Sequence, residues 1–461
     1  MKKWIVLVVF TGLFSSVVLA DGLSGSRPNI IFILADDLGW ADTSHNGAEF
    51  YETPNFDQLT QDGMAFTRAY SGGPNCAPTR ACLISGMYTP RHKIWTPGMK
   101  SKGSYKNMKL LVPNREGQQG DWFESKDSLD PSVVSIAEVL NQQGYKTAMM
   151  GKWHCGDDEQ GFDVFSGDGT DKKYKKHYGS PTVADSLTEG AVKFISENKD
   201  GPFFLYLAHW DVHAPHRANK AVIEKYEAKL KARDDWSEKW RPTYAAMIEA
   251  FDTSIGKVRD TVNELGLAEN TLIIVTSDNG SICQIKGGPL RGGKGSLFEG
   301  GVRVATSMSW PGVIPAGTEC NIPITSVDMM PTFAQLAGGE LPATQPVDGQ
   351  SFVPLLKGEK ALEDRSIFWH YPMYLDSKGK AVIPIHGTNR MYWRGVPATM
   401  IVTGDWKLIY YYEDQSVKLF NVQADPYEAS ELSSRHPEKT QQMLKELKEW
   451  LPQQMRLFRI K

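Results

Sequence analysis

The run Cys76-Ala77-Pro78-Thr79-Arg80 is the segment best suited to chemistry. A loop of turn-forming residues (Ser71, Gly72, Gly73, Pro74, Asn75) leads into it, and a helix is predicted over Thr79 to Ile84. Cys76 is therefore expected in the loop, outside the core, at a helix N-terminus. Backbone N–H groups and the helix dipole favour negative charge there. Taken alone, the pentapeptide fits a reactive cysteine and a buried structural one equally well. Asp36-Asp37 and Asp278-Asn279 supply hard oxygen donors from two distant parts of the chain. Such a set suits calcium, or magnesium as second choice. Asp36-Asp37 alone would also fit ordinary helix capping. Lys152 and His154, then His209 and His213, are further polar residues that follow apolar runs.

The elements that must bring these residues together are readable. Ile30 to Leu34 is a continuous apolar run, as in a strand buried on both faces, and it ends at Ala35-Asp36-Asp37. Three more runs follow the same plan, each preceded by a helical segment. A helix over Ser132 to Gln143 precedes the strand Lys146 to Met150, which ends in Gly151-Lys152-Trp153-His154. A helix over Val183 to Asn198 precedes Phe203 to Ala208, which ends in His209-Trp210-Asp211-Val212-His213. A helix over Tyr244 to Leu265 precedes Leu272 to Thr276, which ends in Ser277-Asp278-Asn279-Gly280. This alternation predicts an α/β fold, a large and mostly parallel sheet sandwiched by helices. Ligands in such sheets bind beyond the carboxyl ends of the strands, so the four polar groups could meet there.

After a short helix over Ser326 to Ala337 the texture changes. Pro and Gly become frequent, and Ile367 to His370, Trp406 to Tyr412 and Val417 to Phe420 read as strands, the last two as an antiparallel pair. A helix over Pro437 to Leu451 follows. The organisation expected is a signal peptide over 1–20, a catalytic domain over 21–339 and a smaller C-terminal α+β subdomain over 340–461.

Of the 461 residues, 41% are hydrophobic and 23% charged, with a net charge of -3. That is globular composition, long enough for more than one domain, and it favours neither nucleic acid nor an anionic membrane as partner. Lys2 and Lys3, the apolar stretch Ile5 to Leu13, and small Val18 and Ala20 read as an export signal, with the mature chain starting near Asp21. No Cys follows Ala20 to carry a lipid, and no other segment is apolar enough to span a bilayer. The expected location is periplasmic or secreted, with no membrane anchor after signal removal. Five cysteines, an odd number, leave at least one unpaired, and the pairing of Cys82, Cys155, Cys283 and Cys320 stays open.

Cys76-Ala77-Pro78-Thr79-Arg80-Ala81-Cys82-Leu83-Ile84-Ser85-Gly86 closely resembles the signature of the type I, formylglycine-dependent sulfatases. The resemblance runs in family order along nearly the whole mature chain. It takes in Asn29 to Asp37, Thr53-Pro54-Asn55-Phe56-Asp57, Gly151-Lys152-Trp153-His154, His213-Ala214-Pro215, Ser277-Asp278-Asn279-Gly280, Gly292-Gly293-Lys294 and Glu299-Gly300-Gly301-Val302-Arg303.

The resemblance implies an alkaline-phosphatase-like fold and a sulfuric ester hydrolase. It implies that a maturation enzyme oxidises Cys76 to formylglycine (3-oxoalanine). One hydroxyl of the aldehyde hydrate would attack sulfur, and loss of the other hydroxyl's proton would expel sulfate. Asp36, Asp37, Asp278 and Asn279, with an oxygen of modified Cys76, would hold Ca2+ or Mg2+. Arg80 would steady the hydrate, Lys152 and Lys294 would bind sulfate, His154 would contact the hydrate, and His213 would protonate the leaving alcohol. The expected substrate is a sulfated glycan, a carrageenan-like galactan or a glycosaminoglycan. Apart from the resemblance, His216 and Arg217, just after His213, fit a contact to the sugar and a structural role equally well, and His370, His386 and Arg390, with aromatic Trp393 and cationic Arg394, fit a sulfated sugar and a subdomain interface equally well. The competing reading is a phosphate or phosphonate monoester hydrolase of the same superfamily.

Overall fold

The computed structural model describes residues 22–98, 108, 110, 124–166, 179–233, 241–282, 289–359, 362–376 and 393–451. The segment 1–20 expected to be an export signal, Cys283, His386 and Arg390 lie outside them. Asn29–Ala35 is the central strand, flanked in parallel by Phe203–Ala208 and Thr271–Ser277. Lys146–Gly151 and Val164–Ser166 extend the parallel run on one side. On the other side Ser307–Ser309 runs antiparallel, and Met64–Phe66 and Thr318–Cys320 complete eight strands.

Side chains alternate across a strand, so the apolar run divides between two cores. Ile30, Phe32 and Leu34 face the helices Cys76–Ser85, Ile136–Asn141 and Met329–Ala337. Ile31, Ile33 and Ala35 face Pro54–Gln61, Val183–Glu197 and Arg241–Glu264. Each fully buried Ile or Phe contributes about 1.5–3 kcal/mol, and both faces of this strand collect it.

Two helix expectations change. The first is shorter than expected and begins at Ile136, because Ser135 caps it. Ser135 Oγ accepts from Glu138 N at 3.1 Å while Glu138 returns a bond to Ser135 N at 2.7 Å, a reciprocal cap that fixes the start at Ile136 rather than at the expected Ser132. The second helix is longer. It begins at Cys76 itself and ends at Gly86, whose φ of 66° closes it.

The C-terminal sheet has four antiparallel strands, ordered Ser366–Tyr371, Ala398–Thr403, Trp406–Tyr411 and Val417–Asn421. Helix Pro437–Trp450 covers one face through Met443 and Leu447. The other face buries Ile367, Trp369, Met400 and Ile409 with Tyr70, Trp95, Phe298 and Val302 from earlier in the chain. A short pair, Leu375–Asp376 with Trp393–Gly395, lies beside it.

Candidate active site

The parallel strands end side by side, and their polar tails converge. Asp36 N donates to Asp211 O, Lys152 N to Ala208 O, and Asp278 N to Ala35 O, so the tails are tied to one another by backbone bonds. Ligand atoms of Asp36, Cys76 and Asp278 lie within 4.8 Å of one another, as do those of Asp36, Asp37 and His213. Asp36 and Asp278, far apart in the chain, thus share a pocket because the strands that end at them are parallel neighbours.

Cys76 is buried as the first residue of its helix, which corrects the expectation of a loop residue outside the core. The loop before it is pinned from three sides. Gly73 N donates to Thr79 Oγ1 at 3.0 Å, Gly295 N to Pro74 O at 2.8 Å, and Asn75 Nδ2 to the hydroxyl of Tyr371 at 3.1 Å. Burial pushes the Cys76 thiol up, but the ammonium groups of Lys152 and Lys294 outweigh it and hold the thiol below its ordinary value.

Arg80, one turn on, is wholly buried. Its Nε and Nη2 donate to Asp278 Oδ2 at 3.0 and 2.7 Å, and its Nη1 donates to Lys152 O. Lys152 Nζ contacts Asp36 Oδ2 and sits 5.6 Å from the Trp210 ring centroid. Lys294 Nζ donates to Asp37 Oδ1 at 2.6 Å, and Asn279 Nδ2 donates to the same oxygen at 2.7 Å. Three carboxylates therefore face three cations. Burial alone would raise Asp36, but Lys152, with His213, Arg80 and Lys294, holds it well below the usual carboxylate range. Burial and the Asp36 carboxylate push Asp278 up to about 8 while Arg80 pulls it back. A metal cation among these carboxylates would act in Arg80's direction.

The donor set fits a hard metal ion. Among the described residues, Asp36 Oδ1, Asp37 Oδ2 and Asn279 Oδ1 are buried oxygens with no hydrogen-bond partner. Buried oxygens are rarely left so unless an ion or water takes them. Asp37 adopts a φ of 68°, an unfavourable conformation that turns its carboxylate beside Asn279.

The histidines separate. His213 Nδ1 lies 2.5 Å from the Ala214 carbonyl oxygen, which only accepts, so Nδ1 carries the proton. Nε2 faces Asp37 Oδ2 at 3.8 Å, and the side chain is 30% exposed. His154 has a φ of 63° and is partly buried. His216 packs edge-on against Tyr244 at 5.7 Å, and Arg217 is exposed beyond it. His209 is core, bonded through Nε2 to Ser254 Oγ at 3.0 Å. His370 corrects the sugar reading. It is buried between Trp95 and Tyr412, with Nδ1 2.8 Å from Thr399 Oγ1. Its strand turns this residue into the core and the next, Tyr371, toward Asn75.

The sulfatase family model matches residues 28–339, and the model for the N-sulphoglucosamine sulphohydrolase C-terminal region matches 293–456. The chain belongs to the sulfatase family. It is a sulfuric ester hydrolase with the alkaline-phosphatase-like fold. It is 30% identical to a sulfatase of Formosa agariphila over 95% of this chain and 90% of that one. It is 31% identical to human arylsulfatase A over 78% of this chain and 73% of that one. The crystal structure of Ps i-CgsB superposes with a TM-score of 0.71 at 30% identity, covering 92% of each chain, and that protein has also been solved with k-i-k-neocarrahexaose.

Reasoning from motifs missed Asp211, Asn75 and Tyr371 in this sulfatase. Asp211 is buried beside Asp36, its Oδ2 has no hydrogen-bond partner among the described residues, and burial pushes it up to about 7. Its position in the His209–His213 tail was the available signal. Tyr371 carried none, because it comes from the C-terminal sheet. The described cysteines Cys76, Cys82, Cys155 and Cys320 are all free.

Proposed function

We propose that this sulfatase removes sulfate from a sulfated carbohydrate, a carrageenan-like galactan or a glycosaminoglycan, using a formylglycine made from Cys76. The convergence of Cys76, Asp36 and Asp278 within 4.8 Å, between Lys152 and Lys294, is the observation that carries this reading. The relative solved with a carrageenan oligosaccharide supports the choice of a galactan.

Asp36, Asp37, Asp278 and Asn279 would hold calcium, with magnesium as second choice; when bound, that ion supplies a Lewis acid for the sulfate oxygens. Lys152 and Lys294 neutralise charge on the sulfate as it departs. Arg80 locks Asp278 and, through Lys152 O, the loop that carries His154. His154 would contact the hydroxyls of the modified residue and accept a proton from one of them. His213 protonates the sugar oxygen. Its Nδ1 bond to Ala214 O leaves Nε2 facing the pocket as the exchangeable site. His216 and Arg217 lie on the same segment outside His213 and are assigned to the sugar. Residues 21–339 are taken as the catalytic domain and 340–461 as the C-terminal subdomain. The leader charges Lys2 and Lys3 support export to the periplasm or medium, and no described helix is long and apolar enough to cross a membrane.

Mass spectrometry of the peptide containing Cys76, with sulfate release from defined sulfated oligosaccharides, tests the reading. A peptide lighter than the cysteine form and release from a galactan or glycosaminoglycan are expected. An unmodified cysteine in an active enzyme would overturn it.

A further inference from the structure

A second group of buried charges lies where the C-terminal sheet meets the catalytic domain. Lys407, on the Trp406–Tyr411 strand, reaches Glu299 Oε1 at 2.9 Å and Glu428 Oε1 at 3.0 Å. All three side chains are wholly buried. Glu428 Oε2 accepts from Glu299 N at 2.7 Å. The other oxygen of Glu299 accepts from Tyr70 OH at 3.1 Å and pairs with Arg303 at 3.5 Å. Apolar residues of similar volume would often serve stability as well as such a buried ion cluster. What the cluster adds is a fixed geometry.

That geometry leads to the active site. Glu299 opens a single helical turn, Glu299–Val302, and three backbone bonds leave it. Gly300 N donates to Arg291 O at 2.8 Å, closing the loop that carries Lys294. Gly301 O accepts from Gly280 N at 3.0 Å, next to Asn279. Val302 O accepts from Ser71 N at 2.8 Å, where the loop to Cys76 begins. The fit has no slack. A Cβ on Gly280 would lie 1.9 Å from Gly300 O, and one on Gly301 would lie 2.1 Å from Ser296 O. From the other side, Arg291 donates to Glu428 O at 3.1 Å and stacks over Phe298 at 4.2 Å.

We propose that Lys407 is a positioning residue for sulfate-ester cleavage, acting through Glu299 to hold Lys294 in register with Asn279 and Cys76. It touches neither substrate nor metal ligands. The inference rests on the sulfate-binding role proposed above for Lys294. Misplacement by about 1 Å in such a site costs on the order of 10²-fold in rate, so a remote anchor of this kind is worth keeping.

The test is a double-mutant cycle on the mature enzyme with 4-nitrophenyl sulfate. Lys294→Ala is expected to lower kcat/KM by about 10²–10³-fold. Lys407→Met, checked as folded by circular dichroism and cooperative melting, is expected to lower it by about 10²-fold. The double variant is expected to lose no more than Lys294→Ala alone, because a lysine already removed cannot be misplaced. Multiplied losses, or unchanged kcat/KM in folded Lys407→Met, would leave the cluster with a structural role only and overturn the inference. A silent Lys294→Ala would instead overturn the reading of Lys294 itself. If Lys407→Met does not fold, Glu299→Gln, which keeps the shape, takes its place in the same cycle. Failure of both to fold would reduce the cluster to support of the fold and also overturn the inference.

Discussion

Arg80 gives two hydrogen bonds, from Nε and Nη2, to one oxygen of Asp278, at 3.0 and 2.7 Å, with both side chains sealed from solvent. The other Asp278 oxygen accepts from Asp37 N at 3.2 Å. The pair thus joins the helix that begins at Cys76 to two of the strand ends. Removing one partner of a buried pair strands the other charge, so Arg80→Ala is expected to cost about 3–5 kcal/mol. Arg80→Lys keeps the charge but loses the planar fork and should recover part of the stability and little of the activity. Denaturant midpoints and sulfate release measure the two.

Cys76→Ala is expected to abolish sulfate release while the protein melts within a few degrees of the parent. Cys76 is buried, but only one sulfur atom is removed, and the helix start is held by Thr79 and Asn75 rather than by the thiol. Cys76→Ser should be equally inactive unless the host oxidises serine. Turnover by purified Cys76→Ala would remove Cys76 from the reaction.

Metal removal should act on stability as well as rate. Asp36, Asp37 and Asp278 crowd one site, and an ion that binds only the folded state adds about 2.7 kcal/mol at a hundred times its Kd. Chelation should lower Tm and activity together, and added calcium should restore both. Asp278→Ala should blunt the calcium response of Tm. A Tm indifferent to chelator and calcium would argue against an ion here.

His213→Ala should discriminate between leaving groups. A sugar alkoxide needs a proton and a nitrophenolate does not, so the variant should lose about 10²–10⁴-fold on a sulfated sugar and far less on 4-nitrophenyl sulfate. Lys294→Ala should weaken both, since sulfate is common to them. Equal losses for His213→Ala on the two substrates would pass the acid role to Lys294.

His209 and His370 predict an acid-sensitive fold. Burial pushes each from the ordinary 6.5 down to about 3. The unfolded chain therefore binds more protons between those values. Stability is complete above pH 6.5 and falls as pH drops toward 3, by about 1.4 kcal/mol per pH unit for each histidine. His370→Asn should destabilise the protein at pH 7.5, and its deficit relative to the parent should shrink by pH 5. Melting curves at the two pH values decide it. KM for a sulfated sugar should not change, because His370 is enclosed by Trp95, Thr399 and Tyr412.

Local physics was enough for much of this protein. Ile30 to Leu34 could only be a strand buried on both faces, and its end had to deliver Asp36 and Asp37 at the sheet's carboxyl edge. The same reasoning placed Lys152, His213 and Asp278 at strand ends, since apolar runs, helix stops and alternation are properties of neighbouring residues. Which strands lie next to which is a property of the whole chain. Only the tertiary structure put Asp278 against Arg80, Lys294 against Asp37, and Tyr371 of the C-terminal sheet against Asn75. It also decided that His370 packs between Trp95 and Tyr412 while Tyr371 reaches Asn75 in the loop before Cys76, because successive residues of a strand point to opposite faces. The bond from Lys407 to Glu299 spans 108 residues, and no periodicity over so long an interval could announce it.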